Sequence, residues 1–250
     1  MSDTAKPLFS VIIPARDEEK ELPRCLDALE KSWVAFQSKM VLSAKVYEVV
    51  VVINRCTDRT EQIARERGCR VVREDTKNLA AIRNVGVRAS TSDFVITVDA
   101  DSRVSTTMFE TLNRYLSQPE VVGGGVLILP ERWSLGIFLT GLMLVPIALW
   151  YRISAGLFFF KRDAFEKVGG FNEMLPSVED IAFAKALCSF GRTKNQRFVN
   201  VLSAHIVTSC RKFDRFGDWY FLRHPLMTLR LLRGVDAVAA DAVWYDFPRF

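Results

Sequence analysis

Short apolar runs alternate with stretches of helical periodicity through the first part of this chain, and that alternation leaves few folds open. Leu8 to Pro14 is the first run, and it gives way to the polar loop Pro14-Ala-Arg-Asp-Glu-Glu19. Leu22, Leu26, Leu29 and Trp33 then recur at helical spacing, which predicts an amphipathic helix over roughly Glu21 to Phe36. Val46 to Ile53 is apolar almost throughout, as expected of a strand covered on both faces in a parallel sheet. Asp58 with Glu61 fits a capping pair that opens a helix running to Gly68, a natural stop. A short strand over Cys69 to Val72, a helix from about Leu79 to Ala89 and a strand from Phe94 follow. The reading is an α/β fold: a Rossmann-like, mostly parallel sheet with helices on both faces, in a single domain.

The Phe94 strand carries the chemistry. Phe94 to Val98 is apolar and β-branched, and it stops on two carboxylates, Asp99 and Asp101, with only Ala100 between them. Ligands of open α/β sheets sit just beyond the carboxyl ends of the strands. Two acids delivered there suit a hard divalent cation, Mg²⁺ or Mn²⁺, which prefers oxygen ligands. The competing reading is that both are ordinary turn residues, since Asp favours turns.

Composition narrows the partners. A formal net charge of +5 favours phosphate-bearing ligands or an anionic membrane surface. Nucleic acid is disfavoured, because no basic helix or interleaved aromatic platform stands out. The cysteines (Cys25, Cys56, Cys69, Cys188, Cys210) are scattered without a Cys-x-x-Cys pair. That pattern reads as reduced thiols in a cytosolic setting, not a disulfide framework or zinc site. Only His205 and His224 are available for histidine chemistry. No basic segment followed by an apolar stretch opens the chain, so no signal peptide is expected.

Beyond Asp101 the periodicity predicts a helix over Thr107 to Leu116 and a strand over Val121 to Leu129, loosened by Gly123-Gly124-Gly125. From Ser134 to Tyr151 no residue is charged, which approaches the ~20 apolar residues needed to span a bilayer. Gly136, Gly141 and Pro146 interrupt it, and α/β sequence resumes beyond, so an interfacial or buried helix ranks ahead of a spanning one. Gly156 to Lys161 reads as a strand, Gly169-Gly170-Phe171 as a turn, and Val178 to Phe190 as a helix stopped by Gly191. Arg197 to Val207 reads as a strand, and Phe213 to Leu232 as largely helical with a break at Pro225. The main unit is expected over residues 1–235, in halves of about 8–102 and 103–235, with a tail over 236–250.

Several segments, in order, resemble the family 2 glycosyltransferases of GT-A fold. They are Val11-Ile-Ile-Pro-Ala-Arg-Asp-Glu-Glu19, Asn54-Arg-Cys-Thr-Asp-Arg-Thr60, Arg83-Asn84-Val-Gly86, Asp99-Ala-Asp101, Lys161 to Phe171, and Glu179-Asp180. The resemblance covers roughly Phe9 to Trp219 and rests on the ordered set, since each motif alone is weak. It implies an inverting enzyme that moves a sugar from a nucleoside-diphosphate sugar to an acceptor hydroxyl, with Mg²⁺ or Mn²⁺. The family's metal-binding Asp-x-Asp falls on Asp99 and Asp101. Pro14, Ala15, Arg16 and Glu18 fall in the nucleotide pocket, as do Ala100 and the stretch Arg83-Asn84. Asn54 stands where a base-recognising aspartate is common, a departure that leaves the base open, because an amide both donates and accepts. Asp180 matches the catalytic base, with Glu179 beside it, although a helix dipole also favours acids there. Arg211, in a basic and aromatic segment, matches a diphosphate contact and carries the guanidinium that suits phosphate. His205 could complete the metal site, as in some relatives, and equally could be a strand histidine.

The acceptor is expected to be a glycan, a lipid-linked or a small molecule; the cysteine pattern points to a cytoplasmic location, and the apolar Ser134 to Tyr151 segment with the net positive charge to peripheral placement on a membrane face. Two rival readings stand beside the resemblance. A sugar-nucleotide nucleotidyltransferase would carry a Gly-rich phosphate loop after the first strand, and Pro14 to Glu19 has no glycine. A non-catalytic membrane-surface protein of the same fold would be favoured by degraded acidic positions, and these are intact.

Overall fold

The computed structural model describes residues 6–40, 46–151, 156–175 and 177–233; the tail expected over 236–250 lies outside them. One eight-stranded sheet organises the described residues, in the order β3-β2-β1-β4-β7-β6-β8-β5. Its first half is built from β1 (Phe9–Ala15), β2 (Tyr47–Ile53), β3 (Arg70–Arg73) and β4 (Phe94–Val98), all parallel where they pair. The helices between them are α1 (Leu22–Met40), α2 (Thr60–Glu66) and α3 (Leu79–Ala89). The apolar runs are strands for the expected reason: Val50, Val51 and Val52 are all fully buried, so both faces of β2 are covered. One cluster holds Phe9, Trp33, Phe36 and Phe109, and the other holds Ile12, Val52, Phe160 and Phe183.

The second half departs from simple alternation. β5 (Ser102–Val104) leaves directly after the Asp101 turn and is followed by α4 (Met108–Leu116), β6 (Val121–Pro130) and α5 (Leu135–Tyr151). Next come β7 (Leu157–Lys161), α6 (Arg162–Val168), α7 (Glu179–Thr193) and β8 (Arg197–Thr208). β7 runs antiparallel to both β4 and β6, and β8 runs parallel to β6 and antiparallel to β5.

Several sequence expectations are corrected. β5 is absent from the periodicity reading, because three residues are too short to show a period. The N-cap of α2 is Arg59, without a side-chain cap hydrogen bond; Asp58, one residue earlier, accepts from the Thr60 amide at 2.9 Å, and Glu61 turns to Arg65 and Arg73 instead of closing the pair. Gly191 does not stop α7, which continues to Thr193. The segment after β8 is three short helices, α8 (Arg211–Phe216), α9 (Tyr220–Arg223) and α10 (Pro225–Arg233). Pro225 opens α10, where a missing N–H costs nothing. Neither Gly136, Gly141 nor Pro146 breaks α5. Ile137 and Thr140 face inward while Leu135, Phe138, Leu142 and Val145 are exposed, so α5 is not a buried core helix over that stretch. Among the described residues, no helix is long and apolar enough to cross a membrane.

Candidate active site

At the carboxyl end of β1, β2 and β4 the chain turns through three polar loops. The loop after β1 is laced to the loop after β2: Asp17 Oδ1 accepts from the Thr57 amide at 2.7 Å, and Thr60 Oγ1 accepts from the Glu18 amide at 2.7 Å. Glu19 N donates to Asp58 Oδ2 at 3.0 Å. Pro14, Ala15, Arg16 and Glu18 therefore sit on a fixed shelf. Asp17 and Asp58, which the family motifs did not single out as site residues, hold that shelf in place. Their oxygens and the Cys56 sulfur lie within 4.8 Å of one another.

Asn54 ends β2 fully buried, and its amide nitrogen donates to the carbonyls of Glu74 and Thr76, the latter at 2.9 Å. In this position it pins the segment between β3 and α3. Its side-chain oxygen accepts from Arg55.

Helix α3 delivers Arg83 and Asn84. Gly86 lets it do so: a Cβ there would stand 2.3 Å from Ile12 Cγ2 and 2.8 Å from Val52 Cγ2, so only glycine allows α3 this close to β1 and β2. Asn84 is buried, and it binds Phe171 with both ends of its amide, accepting from the backbone N at 2.8 Å and donating to the O at 2.9 Å. It braces the Gly169-Gly170 turn, whose φ angles of 81° and 78° belong to glycine. Asn84 is thus a support of the Gly169-Gly170 turn, and its amide is committed away from the β4 end.

Arg83 joins the two halves of the site. Its Nη2 lies 3.1 Å from Asp99 Oδ1 and its Nη1 2.5 Å from Glu179 Oε1, while the guanidinium sits 5.6 Å from the Phe171 ring centre. Burial opposes its charge, but Asp99, Glu179 and Asp180 outweigh burial and raise its pKa. Glu179 and Asp180 open α7, immediately after Val178, which has φ 57°, an unusual angle for a β-branched residue. Glu179 is buried and Asp180 half-buried. Burial raises the pKa of both carboxyls, against the pull of Arg83. Asp180 Oδ1 accepts from the Ile181 amide at 2.7 Å.

β5 accounts for Arg211. Because Ser102 pairs with Thr208, the end of β8 runs back to the Asp101 turn, where the Ser209 amide donates to the Asp101 carbonyl at 3.1 Å. Arg211 follows and lies 2.9 Å from Asp101 Oδ2 and 3.0 Å from the buried Glu18 carboxylate. Burial again opposes the charge, and Glu18 and Asp101 outweigh it. The same register separates His205 from the acids. It lies three positions before Thr208 on β8, about 10 Å at the usual strand rise, with its backbone bonded to Ser105. The structure does not bring His205 to Asp99 and Asp101.

Ala100 is buried between the two aspartates. Asp99 gives Oδ1 to Arg83 and Asp101 gives Oδ2 to Arg211, so each retains an oxygen without a hydrogen bond among the described residues. Hard carboxylate oxygens of this kind fit Mg²⁺ or Mn²⁺.

The family model for glycosyl transferase family 2 matches residues 10–169, more than half of the chain. The uncharacterized glycosyltransferase EpsJ of Bacillus subtilis is 28% identical over 126 residues, covering 48% of this chain and 34% of that protein. The matched stretches span only 26% and 34% of the first curated relatives' own lengths. In fold, the chain is similar to the mannosyltransferase PcManGT of Pyrobaculum calidifontis in complex with GDP-Man and Mn²⁺. The TM-score is 0.62 at 18% identity, over 98% of this chain and 78% of that one. S. aureus TarS in complex with UDP-GlcNAc gives a TM-score of 0.59 at 19% identity, over 97% and 71%. These likenesses establish the GT-A fold, and the family match establishes the family: the chain belongs to glycosyl transferase family 2.

Proposed function

We propose that the enzyme moves a sugar from a nucleoside-diphosphate sugar to an acceptor hydroxyl with inversion, dependent on Mg²⁺ or Mn²⁺, and with Asp180 as general base. The observation that supports this is Arg83, whose one guanidinium ties Asp99 at the end of β4 to Glu179 at the start of α7. Carboxylates suited to a cation and diphosphate thereby stand beside a carboxylate suited to taking a proton. PcManGT and TarS, in the forms described above, carry GDP-Man with Mn²⁺ and UDP-GlcNAc.

In this reading the acceptor oxygen bonds to the anomeric carbon from the face opposite the diphosphate. The bond between that carbon and the diphosphate oxygen breaks, its electron pair leaving with the diphosphate, and the hydroxyl proton goes to Asp180. Asp99 and Asp101 hold the cation, which when bound supplies charge neutralisation at the leaving group. Arg211 adds a fixed cation beside Asp101. Asn84 and Gly170 shape the acceptor side from beneath. The acceptor is a hydroxyl of a glycan, a lipid-linked or a small molecule.

A panel of UDP- and GDP-sugars, with Mn²⁺, Mg²⁺ or EDTA, tests it by release of free nucleoside diphosphate. Metal-dependent release from one donor class is expected. Pyrophosphate release from a nucleoside triphosphate and a sugar phosphate would establish the nucleotidyltransferase reading instead.

A further inference from the structure

We propose that the outward face of α5, with the adjoining α8 to α10 segment, is a docking surface for an anionic lipid bilayer. Leu135, Phe138, Leu142 and Val145 are 64%, 52%, 56% and 45% exposed. At about 100° per residue, these positions fall within one arc of the helix, and the buried Ile137 and Thr140 fall on the opposite side. The buried side is seated firmly. A Cβ on Gly136 would stand 2.6 Å from the Asp218 carbonyl, so α5 rests directly on the backbone that leads into α9. The helix is therefore held with an apolar face turned out, and no charged residue lies between Ser134 and Tyr151. A row of this kind, extended by the exposed Trp133, whose ring centre lies 6.5 Å from that of Phe138, exceeds the scattered apolar residues normal on a surface.

Charge names the occupant. The acids of the adjoining segment, Asp214 and Asp218, share one cation, Arg132, at 2.6 and 2.7 Å, and Arg132 offsets half of their charge. Arg223 and Arg230 are exposed and make no ion pair among the described residues. Trp133 and Trp219 are also exposed, and indoles favour the boundary between headgroups and acyl chains. Apolar side chains with cations and indoles beside them match an anionic bilayer surface better than a second copy of this chain, which would set like charges against one another. The proposal is independent of the transfer chemistry, because vesicle binding can be measured without a donor.

The test is flotation of the full chain with vesicles of phosphatidylcholine, with and without about a third phosphatidylserine. Binding is expected on the anionic vesicles, weaker on the neutral ones and reduced by added salt. Phe138→Asp with Leu142→Asp should lower binding at least tenfold, and Arg223→Glu with Arg230→Glu should lower it on anionic vesicles only. Quenching of tryptophan fluorescence by brominated acyl chains, reduced in Trp133→Phe, gives a readout that a merely structural role would not move. Circular dichroism of each variant separates lost binding from lost fold. Equal flotation of wild type and both double variants would overturn the proposal. So would a concentration-dependent dimer that Leu142→Asp dissociates, in a protein that never floats.

Discussion

Arg83 and Glu179 are separated by 96 positions in sequence, and they meet in a buried ion pair whose guanidinium also reaches Asp99. The contact ties the start of α7 to the end of β4, so one side chain links the two groups of carboxylates. Removing Arg83 should therefore affect stability as well as transfer.

Asp180→Asn removes a proton acceptor without leaving a cavity. Transfer should fall about 10²- to 10⁴-fold, with donor affinity close to wild type. Glu179→Gln should cost clearly less in transfer. Steady-state kinetics of the two variants separate the roles. A larger loss of transfer in Glu179→Gln would move the base by one residue.

The pH dependence has a defined sign. Burial raises the Asp180 carboxyl above its ordinary 3.8, and burial likewise raises Glu179 above 4.5. Protonated Asp180 takes no proton, so kcat/KM should fall as pH drops through that raised value. Stability runs the other way. A carboxyl with a raised folded-state pKa contributes stability that is fully present below its unfolded value and lost as pH rises through the folded one. Wild type should lose stability as pH rises through the folded-state value, and Asp180→Asn should lose less over the same range. Thermal melts across that range check both signs, and a flat profile in wild type would contradict them.

Metal removal should abolish transfer. Excess EDTA is expected to stop turnover, and Asp101→Asn to lose most of the metal-dependent gain in donor affinity, measured by calorimetry with and without Mn²⁺. Asp101→Asn also takes one of two carboxylates from Arg211, while Glu18 remains, so the fold should persist. Unchanged turnover in EDTA would rule out the metal role.

Gly86→Ala adds one methyl where Ile12 and Val52 already stand too close for it. Overpacking of this kind costs about 1–3 kcal/mol. Because α3 must shift to relieve it, Arg83 should lose its alignment and transfer should drop along with the melting temperature. Full activity at reduced stability would mean that α3 tolerates the shift.

The local pattern of the chain was enough to place β1 to β4, α1 and α3, since apolar runs and 3.6-residue periods are properties of contiguous residues. It also placed the carboxylates: Asp99 and Asp101 follow β4, and Glu179 and Asp180 open α7, as the motifs implied. Tertiary structure alone decided their company. β5 is too short to carry a period, yet its pairing with β8 brings Arg211 to Asp101 and sets His205 apart. Asn84, which sequence resemblance put at the nucleotide, is turned to Phe171 by the close packing of α3 that Gly86 allows. Asn54 is likewise drawn to the carbonyls of Glu74 and Thr76. Which partner a buried amide or guanidinium takes depends on residues far away in sequence, because desolvated polar groups must be satisfied by whatever the fold brings within reach.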